Sequence, residues 1–495
     1  MTRQEEVLKE RLKKIEEILK LKINPYPYSY EKKNSCLELQ EKYSKLKPGV
    51  ITKDKAKTAG RVMIIRDIGK IVFVDLNDSS GKIQIQIQEG KTPKKQIDFF
   101  KKFIDNGDFI GVEGKIIKTK RGELTILADK IELLSKNIAP LPEKWHGLVD
   151  KEERYRKRYL DLIMNPEVKE VFIKRTKIID AIREFLNNRG YLEVDTPVLQ
   201  SIYGGAAAKP FITHLNALNM KLYLRISNEL YLKRLIVGGF ERVYEFSKDF
   251  RNEGIDRTHN PEFTQIELYQ AYSDYNDIMD LTEDLYLYVA KKVLGKTEFE
   301  YNGNKISLKK PWKRIKMVDL IKQYVKIDVM KMSEKELLDF AEKNNVKLKG
   351  KTKGMIIASI FEHFCEKYLI QPTFVIDHPE ETTPLCKEKR DLKGFVERVE
   401  PYIAGMEIGN GYSELNDPVR QKILLEAQAQ ELRKGNEEAN PYDEDFINAL
   451  EYGMPPTGGI GLGIDRMVML LTNSHSIRDV ILFPFMKPLN EEKTE

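Results

Sequence analysis

The stretch Phe250-Arg251-Asn252-Glu253, with Glu262-Phe263 after it, decides the fold of this chain together with Gly458-Gly459-Ile460-Gly461-Leu462-Gly463-Ile464-Asp465-Arg466. Side chains alternate along a strand, so an extended first stretch puts Arg251 and Glu253 on one face. An arginine can hold a phosphate and a carboxylate can hold its magnesium, so the two stretches together indicate an ATP site. Taken singly, each has an ordinary interpretation as a solvated strand or a glycine-rich turn.

Composition limits the class of protein. The chain has 495 residues and a hydrophobic content of 41%, which is ordinary for globular protein, and a chain of this length forms about two to four domains. No apolar run approaches the roughly 20 residues that cross a bilayer, and the N-terminus is charged where a signal peptide is apolar. We therefore expect a cytoplasmic protein with no membrane partner. The net charge of +6 permits a polyanionic partner.

The cysteines do not indicate a structural metal. Cys36, Cys365 and Cys386 show no CxxC spacing, so neither a disulfide framework nor a zinc ribbon is predicted. His363 and Cys365 with His378 and Cys386 are an alternative set of metal ligands that the spacing does not favour. We expect no zinc.

The N-terminal region, residues 1–54, begins with an amphipathic helix from Thr2 to about Leu21. Thr2 and Glu5 form a capping-box pair, and Asn24-Pro25-Tyr26-Pro27 stops the helix. Packing of this helix on its own protein is the favoured interpretation, and contact of its lysine face with nucleic acid is the alternative. The apolar stripe consists of Leu8, Leu12, Ile15 and Leu19.

Residues 55–136 read as a small β-barrel of the OB type. Short extended segments are separated by turn residues, and one helix near Ile97 to Ile104 interrupts them. The predicted strands are Thr58 to Arg66, Ile71 to Leu76, Ile83 to Gln88, Phe109 to Thr119 and Glu123 to Leu134.

One face of this barrel carries an unpaired aromatic side chain. Isoleucines 83, 85 and 87 lie on the core face of their strand, and glutamines 84, 86 and 88 lie on the outer face. In the preceding strand, Phe73 lies on the outer face, on the side away from the core. Exposed aromatics on OB sheets stack nucleobases, and neighbouring polar side chains read base edges. Arg66, Gln84 and Glu123 are the candidate readers. Coverage of Phe73 by a loop of its own domain is the alternative.

The remaining chain divides into a linker at residues 137–165, a larger domain at 166–488 and a tail at 489–495. We predict a long helix at 167–188, a strand from Tyr191 to Val194, and a helical insertion at about 275–370. The strands lack regular βαβ spacing, which favours a mostly antiparallel sheet with flanking helices. The predicted fold class is therefore α+β, an OB barrel followed by this domain.

The C-terminal glycines do not form a dinucleotide-binding loop. Gly459, Gly461 and Gly463 lack GxGxxG spacing, and too few residues follow for a βαβ unit. We interpret them as close-approach positions, where the missing Cβ lets a ligand lie on the backbone. Arg466 would then stack on that ligand or pair with its phosphate.

Over nearly its whole length, to Pro484, the chain resembles the class II lysyl-tRNA synthetases. Helix 167–188 with Tyr191–Pro197 resembles the first class II motif, which forms the dimer interface; the two stretches quoted first resemble the second and third. Segments that resemble the lysine branch in particular are Gly204-Gly205-Ala206, Pro210-Phe211, Asn228-Glu229-Leu230-Tyr231-Leu232 and Asn410-Gly411-Tyr412-Ser413-Glu414-Leu415-Asn416-Asp417.

The resemblance implies a homodimeric ligase that activates L-lysine with ATP and Mg²⁺ and transfers it from lysyl-adenylate to the 3′ end of tRNA(Lys). Adenylate formation needs positioning and charge neutralisation, which agrees with the lack of a Ser-His-Asp constellation. The implied catalytic residues are Arg251, Glu253 and Arg466; the implied ATP contacts are these three with His259 beside the nucleotide and Phe263 stacked on adenine; the implied magnesium ligands are Glu400 and Glu407.

Lysine as substrate is argued from charge, because a buried ammonium needs carboxylate partners. By the resemblance, Glu414 takes the place where aspartyl and asparaginyl relatives would need a basic residue. The implied α-ammonium region is Gly205, Glu229 and Glu267; Asn410 lies near the substrate carboxylate; the ε-ammonium pocket is Glu414, Tyr269 and Tyr412.

The chain departs from the family pattern in two places. Thr258 stands where the family often has arginine, with Arg257 one residue earlier, so either side chain could serve the outer phosphates. Tyr412 replaces a frequent phenylalanine.

Two rival functions remain, a nucleic-acid-binding protein that lost catalysis and a ligase that attaches lysine to a protein. The complete set of catalytic residues disfavours the first, and the OB domain disfavours the second.

Overall fold

The structure is a computed structural model that describes residues 2–142 and 150–489. The chain divides into two compact units, Met1–Val149 and Asp150–Glu495. In the first unit the helices and strands are α1 (Arg3–Lys20), α2 (Cys36–Lys42), β1 (Ile51–Asp67), β2 (Ile71–Asn77), β3 (Lys82–Gln88), α3 (Lys94–Phe103), β4 (Phe109–Lys118) and β5 (Leu124–Ser135).

The first unit is an OB barrel, as predicted. Strands β1 to β5 close in the order β1-β2-β3-β5-β4, and α3 lies between β3 and β4 in the chain. The isoleucines of β3 are buried at 2%, 0% and 1% exposure, so the alternation identified the core face correctly. Gln86, on the predicted outer face, is only 8% exposed, because its side chain turns along the strand to donate to Gln88.

Helix α1 has the predicted capping box but packs through a different face. Thr2 and Glu5 exchange their backbone and side-chain hydrogen bonds, and the helix buries Ile18 and Arg11. Arg11 donates to the carbonyls of Asn106, Asn137 and Ala139, which fixes the rotation of the helix. The favoured prediction, that this helix packs on its own protein, is therefore confirmed, but the contacts are made by Ile18 and Arg11, and Leu8, Leu12 and Leu19 of the stripe are 37%, 44% and 55% exposed.

The second unit contains more elements. The strands are β6 (Leu192–Glu193), β7 (Leu199–Gln200), β8 (Ile212–Leu215), β9 (Met220–Leu224), β10 (Arg242–Phe250), β11 (Glu262–Ala271), β12 (Glu298–Tyr301), β13 (Asn304–Ser307), β14 (Lys313–Lys316), β15 (Thr373–Pro379), β16 (Phe395–Ile403), β17 (Met406–Glu407), β18 (Gly409–Ser413) and β19 (Thr457–Gly463). The helices are α4 (Lys151–Arg156), α5 (Arg158–Met164), α6 (Pro166–Asn187), α7 (Glu229–Val237), α8 (Tyr275–Leu294), α9 (Met317–Tyr324), α10 (Glu334–Lys343), α11 (Lys353–Phe364), α12 (Pro418–Arg433), α13 (Glu444–Glu451), α14 (Ile464–Thr472) and α15 (Ile477–Val480).

The main sheet of this unit is mostly antiparallel, as predicted for the α+β class. Its strand order is β14-β15-β16-β18-β19-β11-β10-β6, with β17 beside β16. Parallel pairs occur only towards its edges among the described strands, β14 with β15 and β10 with β6. Helices α6, α8 and α14 pack on the sheet, and their buried residues, among them Phe185, Leu285 and Val468, form one core cluster with Ile266 and Leu462.

Two predicted segments contain more structure than expected. The stretch 275–370 is mainly helical, but β12, β13 and β14 lie within it, because residues 298–316 pair as a hairpin and an edge strand. The predicted linker at 137–165 contains α4 and α5, which Arg158 fixes by burying its guanidinium against Asp161. Residues 143–149 of that linker and 490–495 of the predicted tail lie outside the described residues. No helix in the described ranges is both long and apolar enough for a bilayer span.

Candidate active site

The strands β18, β19 and β11 form the floor of a cavity of about 510 Å³ in the second unit. Because β19 is rich in glycine, side chains of its neighbours fill the space above it. A Cβ on Gly459 would come within 2.4 Å of the Tyr269 ring and 2.5 Å of Glu414 Oε1, so this close approach serves the protein's own side chains. The predicted residues that line the cavity are Gly205, Glu229, Arg251, Glu253, His259, Phe263, Glu267, Tyr269, Glu400, Glu407, Asn410, Tyr412, Glu414 and Arg466.

Arg251 and Glu253 do not share a strand face, so that prediction is wrong. Strand β10 ends at Phe250, and the chain turns sharply because the backbone N–H of Glu253 donates to the carbonyl of Arg251 over 2.9 Å. The N–H of Arg251 donates to Pro261, just before β11, over 2.9 Å. Both side chains still line the cavity, but the turn places them there.

Arg466 lies on the first turns of α14 and reaches across the cavity to β17. Its Nη1 donates to the carbonyl of Glu407 over 2.5 Å, and its Nη2 lies 3.4 Å from Nε2 of His259. The backbone N–H of Thr258 and the His259 ring both donate to Asp256, which together with the nearby imidazole lowers the pKa of that carboxyl to about 2 against the effect of its partial burial. The ionised Asp256 fixes Nδ1 of His259 as a donor and leaves Nε2 towards Arg466.

Glu400 and Glu407 form an acidic pair at the edge of the cavity. Both oxygens of Glu400 accept hydrogen bonds, one from Arg398 over 2.5 Å and one from Tyr402 over 3.1 Å. The Glu407 carboxylate accepts none from the described residues, and Arg466 is 3.7 Å away. Desolvation in the cavity raises the pKa of Glu407, and the charge of Glu400 raises it further. Glu407 is therefore the member of the pair whose carboxylate oxygens are free to bind a cation.

No group of three or more His, Cys, Asp and Glu side chains in residues 2–142 and 150–489 has the geometry to hold a metal ion. Two carboxylates are sufficient for Mg²⁺ when substrate phosphates supply the other oxygens. Glu400 and Glu407 fit such a site, because their oxygens are hard ligands and the charge of Glu400 disfavours the ionised form of Glu407 without a cation.

Three buried carboxylates surround the deep end of the cavity. Glu267, 4% exposed, accepts from Ser227 over 2.8 Å, from Gln265 over 2.6 Å and from Tyr269 over 3.0 Å. Glu229 begins α7 and Glu414 follows β18, and they are 5% and 1% exposed. Burial raises the pKa of Glu267 to about 8, and the charges of Glu229 and Asp249 act in the same direction. The arrangement is suited to cationic groups of a ligand.

The geometry of the deep end of the cavity requires a glycine at position 205. Its φ of +87° is left-handed, and a Cβ there would come within 2.7 Å of Ser227 Oγ. Ser227 in turn accepts from the N–H of Glu229 over 3.0 Å and donates to Glu267. A side chain at position 205 would therefore displace the groups that position the two carboxylates.

Asn410 and Tyr412 lie on the same face of β18. The amide of Asn410 donates to the Tyr412 hydroxyl over 2.7 Å, and its oxygen accepts from Arg398 over 2.9 Å. Arg398 was not predicted as a site residue, although it is two positions from Glu400 on β16 and the strand alternation places both on one face. The hydroxyl that Tyr412 adds to the family pattern thus accepts a hydrogen bond from Asn410.

Sequence reasoning also missed Lys233, whose buried side chain lies between Glu229 and Glu414. Its spacing of four residues from Glu229 on a helix was the available signal. Of the two residues left open for the outer phosphates, Thr258 lines the cavity and Arg257 does not. Lys349, in the lysine-rich segment before α11, is exposed, lines the cavity and pairs with Glu362 over 2.7 Å.

The predicted anticodon residues lie on the barrel of the first unit. Arg66 on β1 is opposite Phe73 on β2, and Phe73 is opposite Gln86 on β3. Phe73 is partly exposed, and Arg66 pairs with Asp75 over 2.7 Å. Gln84 accepts from Thr125, while Glu123 is exposed just before β5. These side chains can present one aromatic ring and several polar groups on a single sheet.

Comparisons with known proteins agree with both units. Residues 150–487 match the family described as tRNA synthetases class II (D, K and N), and residues 56–134 match an OB-fold nucleic acid binding domain. A lysine–tRNA ligase of Thermoanaerobacter pseudethanolicus is 52% identical over 98% of this chain and 97% of its own length. The lysine–tRNA ligase of Methanoculleus marisnigri is 50% identical over 96% and 94%, and that of Thermosipho africanus 47% over 99% and 98%.

Proposed function

Because the chain belongs to the lysine–tRNA ligases, class II synthetases that join lysine to tRNA, we propose a role in that reaction for each group of side chains in the cavity. The observation that supports the proposal is the joint presence of Arg251, Arg466 and the carboxylates Glu229, Glu267 and Glu414 around one cavity. Arginines suit phosphates and a carboxylate, and buried glutamates suit ammonium groups.

In the first step an oxygen of the lysine carboxylate attacks the α-phosphorus of ATP. A bond forms between them, the bond to the β-phosphate oxygen breaks, and pyrophosphate leaves. Arg251 neutralises the charge that accumulates on the α-phosphate, and Arg466 lies on the other side of the nucleotide, whose adenine stacks on Phe263. Glu253 and His259 lie beside the nucleotide. Such positioned charges lower the barrier without a protein nucleophile.

Glu400 and Glu407 would hold Mg²⁺, which neutralises phosphate charge during this step. Glu407 has the freer oxygens, and Arg398 and Tyr402 orient Glu400. In the second step a ribose hydroxyl at the 3′ end of tRNA attacks the lysyl carbonyl, and AMP leaves with the bonding electron pair.

Recognition of lysine uses both ends of the substrate. Glu229 and Glu267 bind the α-ammonium beside Gly205, Asn410 lies near the carboxylate, and Glu414 with Tyr269 and Tyr412 binds the ε-ammonium. The barrel recognises the anticodon of tRNA(Lys). Phe73 stacks on a base, and Arg66, Gln84 and Glu123 recognise the edges of the bases.

We also propose a homodimer in the cytoplasm, where tRNA charging for protein synthesis takes place. Apolar side chains are exposed on the elements that resemble the first class II motif and on the adjacent small sheet β7-β9-β8, as an interface with a second copy requires. They are Leu192, Leu199 and Ile212, with Leu218 in the turn between β8 and β9, exposed by 48%, 50%, 61% and 69%.

The test of the substrate assignment is amino-acid-dependent exchange of pyrophosphate into ATP with each of the twenty amino acids. Lysine alone is expected to support strong exchange. Equal exchange with aspartate or asparagine would contradict the pocket, and failure of all twenty would favour a chain that binds nucleic acid without catalysis.

A further inference from the structure

Lys233 is a fully buried cation between Glu229 and Glu414, two carboxylates that line the proposed lysine pocket. Its Nζ donates to Glu229 Oε1 over 2.6 Å and contacts Glu414 Oε2 as an ion pair. The side chains of Lys233 and Glu414 are both 0% exposed, and the neighbouring residues of α7 include buried Leu230, Leu232 and Ile236. A buried ammonium is costly in such surroundings. Lys233 is therefore held by the two carboxylates that are proposed to bind the two ends of the substrate.

The contact with Lys233 leaves one oxygen of Glu414 free. Lys233 lies against Oε2, and Oε1 accepts no hydrogen bond from the described side chains. Oε1 lies beside Gly459, where a Cβ would approach it to 2.5 Å, and Glu414 lines the cavity. The buried, unpartnered oxygen is thus next to the space that a substrate would fill.

Lys233 also determines the charge of the pocket. The carboxylates around the deep end of the cavity are Glu229, Glu267 and Glu414, and among the described residues Lys233 is the cation that pairs with two of them, Glu229 and Glu414. The charge of Asp249 also raises the pKa of Glu267, but Asp249 has its own ion-pair partner, Arg225, at 3.2 Å. When all three carboxylates are ionised, Lys233 leaves two net negative charges, which balance the two ammonium groups of one bound lysine molecule.

We propose that Lys233 is a positioning residue for substrate selection, an internal cation that fixes Glu229 and Glu414 relative to each other and turns the free oxygen of Glu414 towards the substrate's ε-ammonium. This rests on the proposed assignment of the pocket to lysine. A neutral residue at this position would leave two buried carboxylates without their shared partner, and Glu414, whose pKa Lys233 lowers, would take up a proton at the expense of lysine binding. The titratable groups that act on Glu414 from the surrounding elements are Glu229 and Lys233 on α7, Tyr269 on β11, and Cys386, which pairs with it in an isolated bridge.

The test uses the full-length Lys233→Met enzyme and pyrophosphate exchange between pH 6.5 and 9. We expect the KM for lysine to rise roughly 10- to 100-fold at pH 7, the KM for ATP to stay unchanged, and the pH profile for lysine to move to higher pH. Lys233→Arg keeps the charge, so its pH profile should match that of the unmodified enzyme even if its KM for lysine rises. This second variant keeps the test decisive if Lys233→Met folds poorly.

Lys136→Met is the matched control, because Lys136 is also 0% exposed and bridges two carboxylates, Asp105 and Asp108, but belongs to the barrel unit. It should lower the melting temperature and leave the KM for lysine unchanged. The inference is overturned if Lys233→Met behaves in the same way, if it raises the KM for lysine and ATP equally, or if Lys233→Arg shifts the pH profile. An unchanged KM for lysine in Glu414→Gln would instead overturn the pocket assignment itself.

Discussion

The guanidinium carbon of Arg251 lies 5.0 Å from the centre of the Phe263 ring. The two residues stand at opposite ends of the turn between β10 and β11, which the hydrogen bond from Arg251 to Pro261 closes. A cation over an aromatic face is attracted to it and is oriented by it. The proposed phosphate ligand and the proposed adenine platform are therefore one structural unit, and we expect changes in either to affect the nucleotide.

Replacement of Arg251 by alanine should abolish adenylate formation in a folded enzyme. The lost charge contact strengthens as charge develops on the α-phosphate, so pyrophosphate exchange should fall on the order of 10²- to 10³-fold. Arg242→Ala is the control, because Arg242 is at the other end of β10, the strand that ends just before Arg251, and donates to the carbonyl of Arg189. Near-normal exchange by Arg251→Ala would refute the proposed site.

Replacement of Glu414 by glutamine should weaken lysine use selectively. The change keeps the shape but removes the counter-charge of a desolvated ammonium, which is expected to cost about 2 to 4 kcal/mol in lysine binding. The affinity for ATP should hardly change. Titration calorimetry with each ligand separates the two.

A matched control for Glu414 is Glu283, which is also 1% exposed and accepts from the Trp312 backbone outside the cavity. Glu283→Gln should change stability and leave both ligands unaffected. Equal losses for lysine and ATP in Glu414→Gln would mean that Glu414 supports the fold or the nucleotide instead.

Most of the fold was predictable because local patterns determine it. The alternation in β3 follows from burial of one strand face, and the helix 167–188 was placed within one residue of α6, Pro166–Asn187. The rotation of α1 was not predictable, because it depends on Arg11 and carbonyls more than 90 residues away. A hydrophobic stripe identifies a helix but does not by itself determine which side is covered.

The site was predictable as a set of residues but not in its conformation. Arg251 and Glu253 reach the cavity from a turn. The alternation of side chains along Phe250–Glu253 could not reveal this turn, because it is closed by a hydrogen bond from Arg251 to Pro261, ten residues later in the chain. Lys233 was missed because it lies in an apolar helix and its second partner, Glu414, is distant in sequence. Only the tertiary structure brings those charges together.

The pH dependence of stability should differ with and without lysine. Burial raises the pKa of Glu267 and of Glu414 from 4.5 to about 8 each, with Lys233 opposing the shift at Glu414. A raised carboxyl pKa stabilises the fold while the group is protonated, and this stabilisation is lost as pH rises from about 4.5 through about 8. Lysine favours the ionised carboxylates, so it should raise the melting temperature more at pH 8.5 than at pH 6. A lysine-induced rise in melting temperature that is smaller at pH 8.5 than at pH 6 would contradict this prediction.

Phe73 provides the test of the barrel surface. If its ring stacks an anticodon base, Phe73→Ala should cost about 1 to 3 kcal/mol in tRNA use, while pyrophosphate exchange, which needs no tRNA, should be unaffected. Aminoacylation of normal lysine tRNA and of a tRNA with a substituted central anticodon base measures both effects. Because lysine anticodons are uridine-rich, the edge readers should discriminate against replacement of the central uridine.

Phe109→Ala is the matched control for Phe73, since Phe109 is a partly exposed barrel phenylalanine, 37% exposed at the start of β4, with the guanidinium carbon of Arg61 4.2 Å from the centre of its ring. Its loss should leave tRNA charging unchanged if stacking is specific to the Phe73 surface. Charging of normal tRNA by Phe73→Ala at the unmodified rate, with the same penalty for the changed base, would show that the ring only packs within the barrel. Similar losses in both variants would point to a general weakening of the barrel and not to base stacking.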